Sequence, residues 1–250
     1  MCLILVAYKL HPQTKLAVLA NRDEFYDRPT ENAQWWDTSP NILAGKDLKA
    51  GGTWLGVNEY GKFAALTNYR DPAKFNPNAI SRGRLVSKYL KSERSVSNFI
   101  DQYIGNTSVY NGFSLLLYDN NDLYYFSSID EKLIRLEPGI YGLSNALINS
   151  NWPKIKKGRA AMKTYIENSK LSAEEGFDIL FDKTIAKDKD LPSTGVDIEK
   201  ERLLSPLHID YPGYGTRSSN VVFFNEDDTI QFYEKDHLTG QHVEKKFTAE

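Results

Sequence analysis

The chain has 250 residues, 41% of them hydrophobic and 26% charged, with 31 Lys and Arg against 33 Asp and Glu and a formal net charge of −2. This composition supplies a sizeable core and excludes a disordered chain, and the near-neutral balance argues against a dedicated nucleic-acid binder. The one cysteine, Cys2, excludes an intrachain disulfide and a cysteine metal cluster. No run approaches the roughly 18 apolar residues of a membrane-spanning helix, so no integral membrane segment is expected. The opening Met1 to Tyr8 is apolar but short, with no basic residue ahead of it and no small-residue cleavage site behind it. It does not read as a secretory signal, and a cytoplasmic location is expected. There is no repeat, low-complexity tract or composition break, so one domain over residues 1–250 is expected.

In chain order, Leu3 to Tyr8 and Lys15 to Ala20 are β-branched and aliphatic runs around His11-Pro12-Gln13, which reads as a hairpin. Thr53 to Val57 and Lys62 to Thr67 form a second around Asn58-Glu59-Tyr60-Gly61. Helical periodicity follows in Arg82 to Lys91 and in Val96 to Ile104. Phe113 to Tyr118 and Leu123 to Ser127 form a third hairpin, and Lys132 to Leu136 with Ile140 to Leu143 read as a fourth across Pro138-Gly139. A helix over Trp152 to Glu167 carries Asn151 as its cap and Pro153 in its first turn. Another, over Ala173 to Ala186, begins with the capping-box pair Ser172 and Glu175. Arg217 to Phe224 and Thr229 to Glu234 form the last hairpin. Consecutive hairpins imply antiparallel sheets, and amphipathic helices need a sheet face to cover. The expected fold class is therefore α+β, two sheets with outer helices. The Pro- and Gly-bearing stretch from Lys187 to Tyr214 reads as a long structured loop of the kind that carries function.

Several positions could carry chemistry. If Met1 is removed, Cys2 holds a thiol nucleophile and a free α-amine on one residue, and an amine of pKa about 7.7–8.0 can take the thiol proton. The bland alternative is a small buried hydrophobe. Asn21-Arg22-Asp23-Glu24 follows the strand expected to pair with the Cys2 strand, so Asp23 could lie near Cys2, although four polar residues after a strand are commonly a turn. Asn68 and Asn145 each follow an apolar strand, and an Asn amide can donate to a developing oxyanion; Asn also ends strands simply because it tolerates turn angles. Arg217, at the start of an apolar strand, could hold a carboxylate or phosphate or be an exposed strand end. His11, His208, His237 and His242 show no metal-ligand spacing, and His208 lies in the long loop.

Together, Met1-Cys2, Asn21-Arg22-Asp23-Glu24, Gly51-Gly52-Thr53-Trp54-Leu55-Gly56, Leu66-Thr67-Asn68-Tyr69-Arg70, Ser81-Arg82-Gly83, Tyr141-Gly142-Leu143-Ser144-Asn145 and Tyr214-Gly215-Thr216-Arg217-Ser218-Ser219 resemble the NRDE family, that of the transport and Golgi organisation protein 2. The motifs run in the family's order from Cys2 to about Glu234. The resemblance implies an N-terminal nucleophile hydrolase fold, a four-layer αββα sandwich. Its mechanistic relatives are the bile salt hydrolases and penicillin V acylases. It also implies Cys2 as nucleophile, Asp23 beside it, Asn68 and Asn145 as oxyanion donors and Arg217 as a late strand arginine. One position departs. Those amidases carry an Arg directly before the early Asn, where this chain has Ala20, and Arg22 instead stands between Asn21 and Asp23, on the other face of a regular strand.

The expected function is an amidase or acyl hydrolase acting on a small acylated substrate, needing no cofactor. The catalytic set is Cys2, Asp23, Asn68 and Asn145, with Asn21, Arg22, Glu24, Arg70, Arg82 and Arg217 around the substrate. The alternative is a non-catalytic carrier using the same pocket, since the family is linked to haem transfer and to acyl-CoA or lipid metabolism. No haem-attachment motif is present, so haem would be non-covalent, with Cys2 or His208 as axial ligand. A third reading is a degenerate pocket that serves only a protein partner.

Overall fold

The computed structural model describes residues 2–38 and 41–250. Strands β1 (Cys2–His11), β2 (Thr14–Phe25), β3 (Thr30–Trp36), β4 (Ile42–Asp47), β5 (Leu55–Asn58) and β6 (Phe63–Asn68) come first. Helices α1 (Gly83–Lys91) and α2 (Val96–Tyr103) follow, then β7 (Phe113–Tyr118), β8 (Leu123–Ser127), β9 (Lys132–Arg135) and β10 (Gly139–Leu143). Helices α3 (Pro153–Tyr165), α4 (Ala173–Leu180) and α5 (Ile198–Leu203) lead to β11 (Asp210–Tyr211), β12 (Tyr214–Asn225), β13 (Thr229–Asp236) and β14 (His242–Thr248).

The strands form two antiparallel sheets. The first runs β10-β1-β2-β12-β13-β14, with the short β11 on β12, and the second runs β3 to β9 in sequence order. Ile4, Val6 and Tyr8 of β1 face Leu116 and Tyr118 of β7 in the core between the sheets. The alternate residues Leu3, Leu5 and Ala7 pack on Ile155 and Met162 of α3 and Phe177 of α4. Helices α1 and α2 cover the outer face of the second sheet through Leu85, Val86, Phe99 and Ile100. The layers are thus helix, sheet, sheet, helix, as the α+β reading and the resemblance implied. Both faces of β1 are covered, which is why Leu3 to Tyr8 is a continuous apolar run rather than an alternating one.

The helices need close approach. A Cβ on Gly158 of α3 would stand 2.7 Å from the Leu5 side chain, so glycine here lets the helix settle on β1. Gly52, at φ +155, has no room for a Cβ against the Gly83 backbone 2.7 Å away, and the contact brings the start of α1 to the end of the sandwich.

Some elements differ from expectation. Lys132 to Leu136 and Ile140 to Leu143 do not pair with each other. β9 pairs with β8 in the second sheet and β10 with β1 in the first, so Pro138-Gly139 crosses between sheets. The cap of α3 is Trp152, without a side-chain cap bond, rather than Asn151. Helix α4 ends at Leu180, because the Asp182 side chain takes the Thr184 N–H at 2.8 Å and turns the chain. Strands β3, β4 and β14 are not among the expected elements, and α5 and β11 lie in the stretch expected as the long loop Lys187 to Tyr214. β14 is an edge strand exposing Glu244, Lys245 and Lys246, and such polar edges carry little hydrophobic signal.

Candidate functional site

The site lies at one end of the sandwich. In the β1–β2 ladder Cys2 stands directly opposite Arg22, and Leu3 opposite Asn21. Directly opposed residues share a face, so Arg22 lies on the face of Cys2, which continues the inter-sheet face of Ile4 and Ala20. The expectation that Arg22 lies on the other face is therefore corrected: residues two apart on a strand share a face, so Arg22 lies on the face of position 20 and of the nucleophile. Asn21 is fully buried on the opposite, helix-covered face. Its Nδ2 donates to the Leu180 and Leu207 carbonyls at 2.9 Å each, and its Oδ1 accepts from Ser219 Oγ at 2.6 Å. It braces the helical layer and does not line the cleft.

β12 lies on the other side of β2. Thr216 pairs with Asp23 and Ser218 with Arg22, which leaves Arg217 as an extra residue in a bulge. Arg217 Nη1 donates to the carbonyls of Phe25, Tyr26 and Arg28, so it closes the turn after β2 while its side chain lines the cleft. Thr216 Oγ1 donates to Asp23 Oδ1 at 2.7 Å, and Tyr214 OH to the Asp23 carbonyl at 3.3 Å.

The second sheet contributes Asn68, at the end of β6. Asn145, just past β10, donates from Nδ2 to the Asn68 carbonyl at 2.8 Å, and the Arg70 N–H donates to the Asn145 carbonyl at 2.8 Å. These bonds clasp the two sheets where the cleft opens. Ser144 Oγ donates to the Cys2 carbonyl at 2.9 Å, which ties the same loop to β1.

A cleft of about 500 Å³ is lined by Cys2, Arg22, Asn68, Arg82, Arg217 and Glu234, among others. Asp23 and Glu24 also reach it. A second hollow of about 460 Å³ shares Asn68, Phe75 and Arg82 with it and adds Tyr69, Ile129 and Asn145. Cys2 is partly exposed in the cleft wall. Burial pushes its thiol up, Asp23 pushes it further, and Arg22 and the Asp23 backbone N–H oppose this.

Arg22 is 8% exposed, with Glu24 at 3.9 Å from Nη2. Its Nη1 is buried without a hydrogen-bond partner among the described residues. Arg82 donates to the Gly112 carbonyl at 2.9 Å; burial lowers its pKa, and Cys2 raises it. Arg70 lies in the second hollow, but Nη1 donates to Glu201 and Thr194 at 3.0 Å each, and the guanidinium stacks 4.8 Å over the Trp152 ring. Its charge anchors the 187–214 segment.

Two charged residues escaped the sequence reading. Glu234 of β13 is buried beside the cleft, where it accepts from the Ala33 N–H at 2.7 Å and from Asn220 Nδ2 at 3.1 Å; burial raises its pKa. Its signal was an acid on the inward face of a strand that alternates Ile230, Phe232, Glu234. Lys154 of α3 is 2% exposed, and its signal was a lysine in the helix's buried stripe of Ile155, Gly158 and Met162.

His208, considered as an axial haem ligand, is not in the cleft. It packs at 4.6 Å on Phe181 and 4.7 Å on His237, on the helix-covered side with Asn21. Met1, whose removal would free the Cys2 amine, lies outside the described residues. Among the described residues no group of three His, Cys, Asp or Glu side chains could hold a metal ion, and no helix is long and apolar enough to cross a membrane.

The family model described as Transport and Golgi organisation 2 matches residues 1–239. The chain is 32% identical over 259 residues to the Transport and Golgi organization protein 2 homolog of Bos taurus, covering 95% of this chain and 94% of that protein. It is 33% identical over 256 residues to the Homo sapiens homolog, covering 94% and 92%. Among solved structures, a mutant conjugated bile acid hydrolase from Clostridium perfringens aligns with TM-score 0.58 at 11% identity, over 99% of this chain and 92% of that one. At that identity the likeness is one of fold, that of the N-terminal nucleophile hydrolases.

Proposed function

We propose that this chain, which belongs to the Transport and Golgi organisation 2 family, is a cysteine hydrolase that cleaves an amide or thioester bond of a small acylated substrate. The observation that carries this reading is the position of Cys2. Its thiol lines the cleft opposite Arg22, with the Asp23 backbone N–H on the sulfur and Asn68 in the same wall.

Removal of Met1 places an α-amine on Cys2. The amine takes the Sγ proton, and the thiolate attacks the acyl carbon. The carbonyl oxygen becomes an oxyanion, for which Asn68 in the cleft wall and Asn145, bonded to the Asn68 carbonyl, would be the donors. The α-ammonium, held by the Asp23 carboxylate, returns its proton to the leaving nitrogen or sulfur as that bond breaks. Water, losing a proton to the α-amine, then attacks the thioester, releases the acid and restores the thiol.

The test is the intact mass of untagged protein, followed by turnover of acyl amides, thioesters and esters by wild type and Cys2→Ala. A mass lacking Met1, with turnover that Cys2→Ala abolishes in a folded protein, supports the reading. Unchanged turnover in Cys2→Ala removes Cys2 as nucleophile.

Arg22 favours a second reading. Arg22 lines the cleft, and one of its guanidinium nitrogens is buried without a hydrogen-bond partner among the described residues; such a cation suits a carboxylate or phosphate, as a carrier for haem or acyl-CoA would require. Titration with each ligand tests it: binding weakened by Arg22→Ala, with no turnover of any acyl substrate, would select the carrier. Binding of neither ligand would end it.

A further inference from the structure

The ladders of the first sheet put four side chains in one row. Cys2 pairs with Arg22, Arg22 with Ser218, and Ser218 with Asp236. Directly opposed residues share a face, and all four line the cleft. The row crosses β1, β2, β12 and β13 at about 4.8 Å per strand. Arg22 is therefore one strand from the thiol, and Ser218 two.

Ser218 joins this row through the bulge at Arg217. Thr216 stands opposite Asp23 and gives its hydroxyl to that carboxylate. In a regular strand Ser218 would share the face of Thr216. The extra residue turns Ser218 to the face of Arg22 instead. Beyond the bulge the alternation is regular: Ser219 bonds Asn21 on the helix-covered face, and Asn220 stands opposite Ala20.

Two guanidinium groups meet here. Arg22 Nη1 and Arg217 Nε are each buried without a hydrogen-bond partner among the described residues, and the two residues are 7% and 8% exposed. Glu24 stands 3.9 Å from Arg22 Nη2, beyond hydrogen-bond range. Arg217 spends Nη1 on the carbonyls of Phe25, Tyr26 and Arg28. Burial and the Arg22 charge both push the Arg217 guanidinium below its usual pKa. Buried donors left unmatched carry a cost that a ligand's acceptor removes, and guanidinium groups are suited to an oxyanion.

We propose that Arg22, Arg217 and Ser218 form a seat for a carboxylate that the substrate carries close to its scissile bond. The proposal rests on the hydrolase reading above, which sets the acyl carbon at Cys2. One to two strands from Cys2 is about 5–10 Å, so the spacer between the scissile bond and the carboxylate is short. Asp236, one strand beyond Ser218, takes the Leu238 and Thr239 N–H groups on Oδ1 at 2.8 Å each and repels an anion placed further along the row. Glu24 and Glu234 line the same cleft, which favours a singly charged carboxylate over a doubly charged phosphate.

Binding is read by calorimetry in a Cys2→Ala background, so no turnover is needed. N-octanoyl-β-alanine is expected to bind about tenfold or more tighter than its neutral carboxamide. Arg22→Leu should bring that ratio close to one, and Ser218→Asp, which adds an acid to the row, should bring it to one or below. The same acid and carboxamide pair built on aminoundecanoate, whose long spacer carries the carboxylate past Ser218, should show little preference. A ratio near one before any further substitution, a ratio unmoved in a folded Arg22→Leu or Ser218→Asp, or an equal ratio for the aminoundecanoate pair overturns the proposal. If Arg22→Leu does not fold, Ser218→Asp decides. Tighter binding of N-octanoylphosphoethanolamine than of N-octanoyl-β-alanine overturns the choice of carboxylate. Failure of the hydrolase reading shows separately: wild type then leaves N-octanoyl-β-alanine uncleaved although Cys2→Ala binds it.

Discussion

His208 makes the stability of this fold depend on acid. Its ring lies between Phe181 and His237, and Nδ1 is buried without a hydrogen-bond partner among the described residues. Burial pushes its pKa from 6.5 down to about 4; His237 and Lys183 push the same way, and Asp210 opposes them. The folded ring is therefore neutral, while the unfolded ring protonates near pH 6.5. Between those values the unfolded chain binds the extra proton, so stability is whole above pH 6.5 and falls as pH drops towards 4. The drop to about 4 corresponds to about 3.4 kcal/mol at saturation, of which about 2 kcal/mol is already lost at pH 5. His237, also pushed down by burial, adds loss in the same direction, and the two titrate as a pair. The perturbation is His208→Gln, read by urea unfolding at pH 7.5 and pH 5. The variant loses packing at both pH values, but it should lose less than wild type between them, by about 2 kcal/mol. Equal pH dependence in the two proteins would refute the argument, because packing loss alone cannot remove a proton-binding site.

Gly158→Ala places a methyl 2.7 Å from Leu5, which is itself fully buried, and should cost about 1–3 kcal/mol; a Tm equal to wild type would show that α3 can shift freely on β1. Glu201→Ala removes the carboxylate from a buried pair with Arg70, where the side chains are 3% and 10% exposed, and should cost about 3–5 kcal/mol. Limited proteolysis should then cut first in residues 187–214, and a cleavage pattern like wild type would count against Arg70 as their anchor. Arg22 lowers the Cys2 thiol pKa, so Arg22→Leu should move the iodoacetamide rate profile to higher pH. Cys2 is the one cysteine, which makes the rate unambiguous, and an unmoved profile would mean that Arg22 does not act on the sulfur.

The parts of this structure legible in sequence were those set by local signals. The β1–β2 hairpin was carried by apolar runs around a Pro-bearing turn, and α3 by its first-turn proline and helical period. The pairing of β9 and β10 was misread because adjacency in sequence is only a default: Pro138-Gly139 ends one strand and begins another without saying which sheet receives it. The ordered motifs brought Cys2, Asp23, Asn68 and Asn145 to one end of the chain's topology. They could not show that Asn21 spends its amide on Leu180 and Leu207, or that Arg70 is held by Glu201, since those partners lie more than a hundred residues away. Glu234 and Lys154 were visible as charges inside apolar periods, a pattern that marks either a sequence exception or a buried site; here both are buried, and Glu234 lines the cleft.

Ala20, where the resemblance led us to expect an arginine, and Arg22, two residues on, have a simple geometric relation. Positions 20 and 22 share a face of the strand, two residues or about 6.8 Å apart. Ala20 stands opposite Ile4, deep in the inter-sheet core, whereas Arg22 stands opposite Cys2 at its edge. An arginine at position 20 would reach the nucleophile from beneath, through the core. At position 22 it stands opposite Cys2, with Glu24 on one side and Nη1 without a hydrogen-bond partner among the described residues. The cation is therefore kept on the nucleophile's face, one pleat nearer the end of the β1–β2 ladder. On this geometry Ala20→Arg would not add a second binding arm. It would force a guanidinium into the packed inter-sheet core beside Ile4 and Val18, and a folded Ala20→Arg variant of wild-type stability would show that the inter-sheet space is looser than this packing implies.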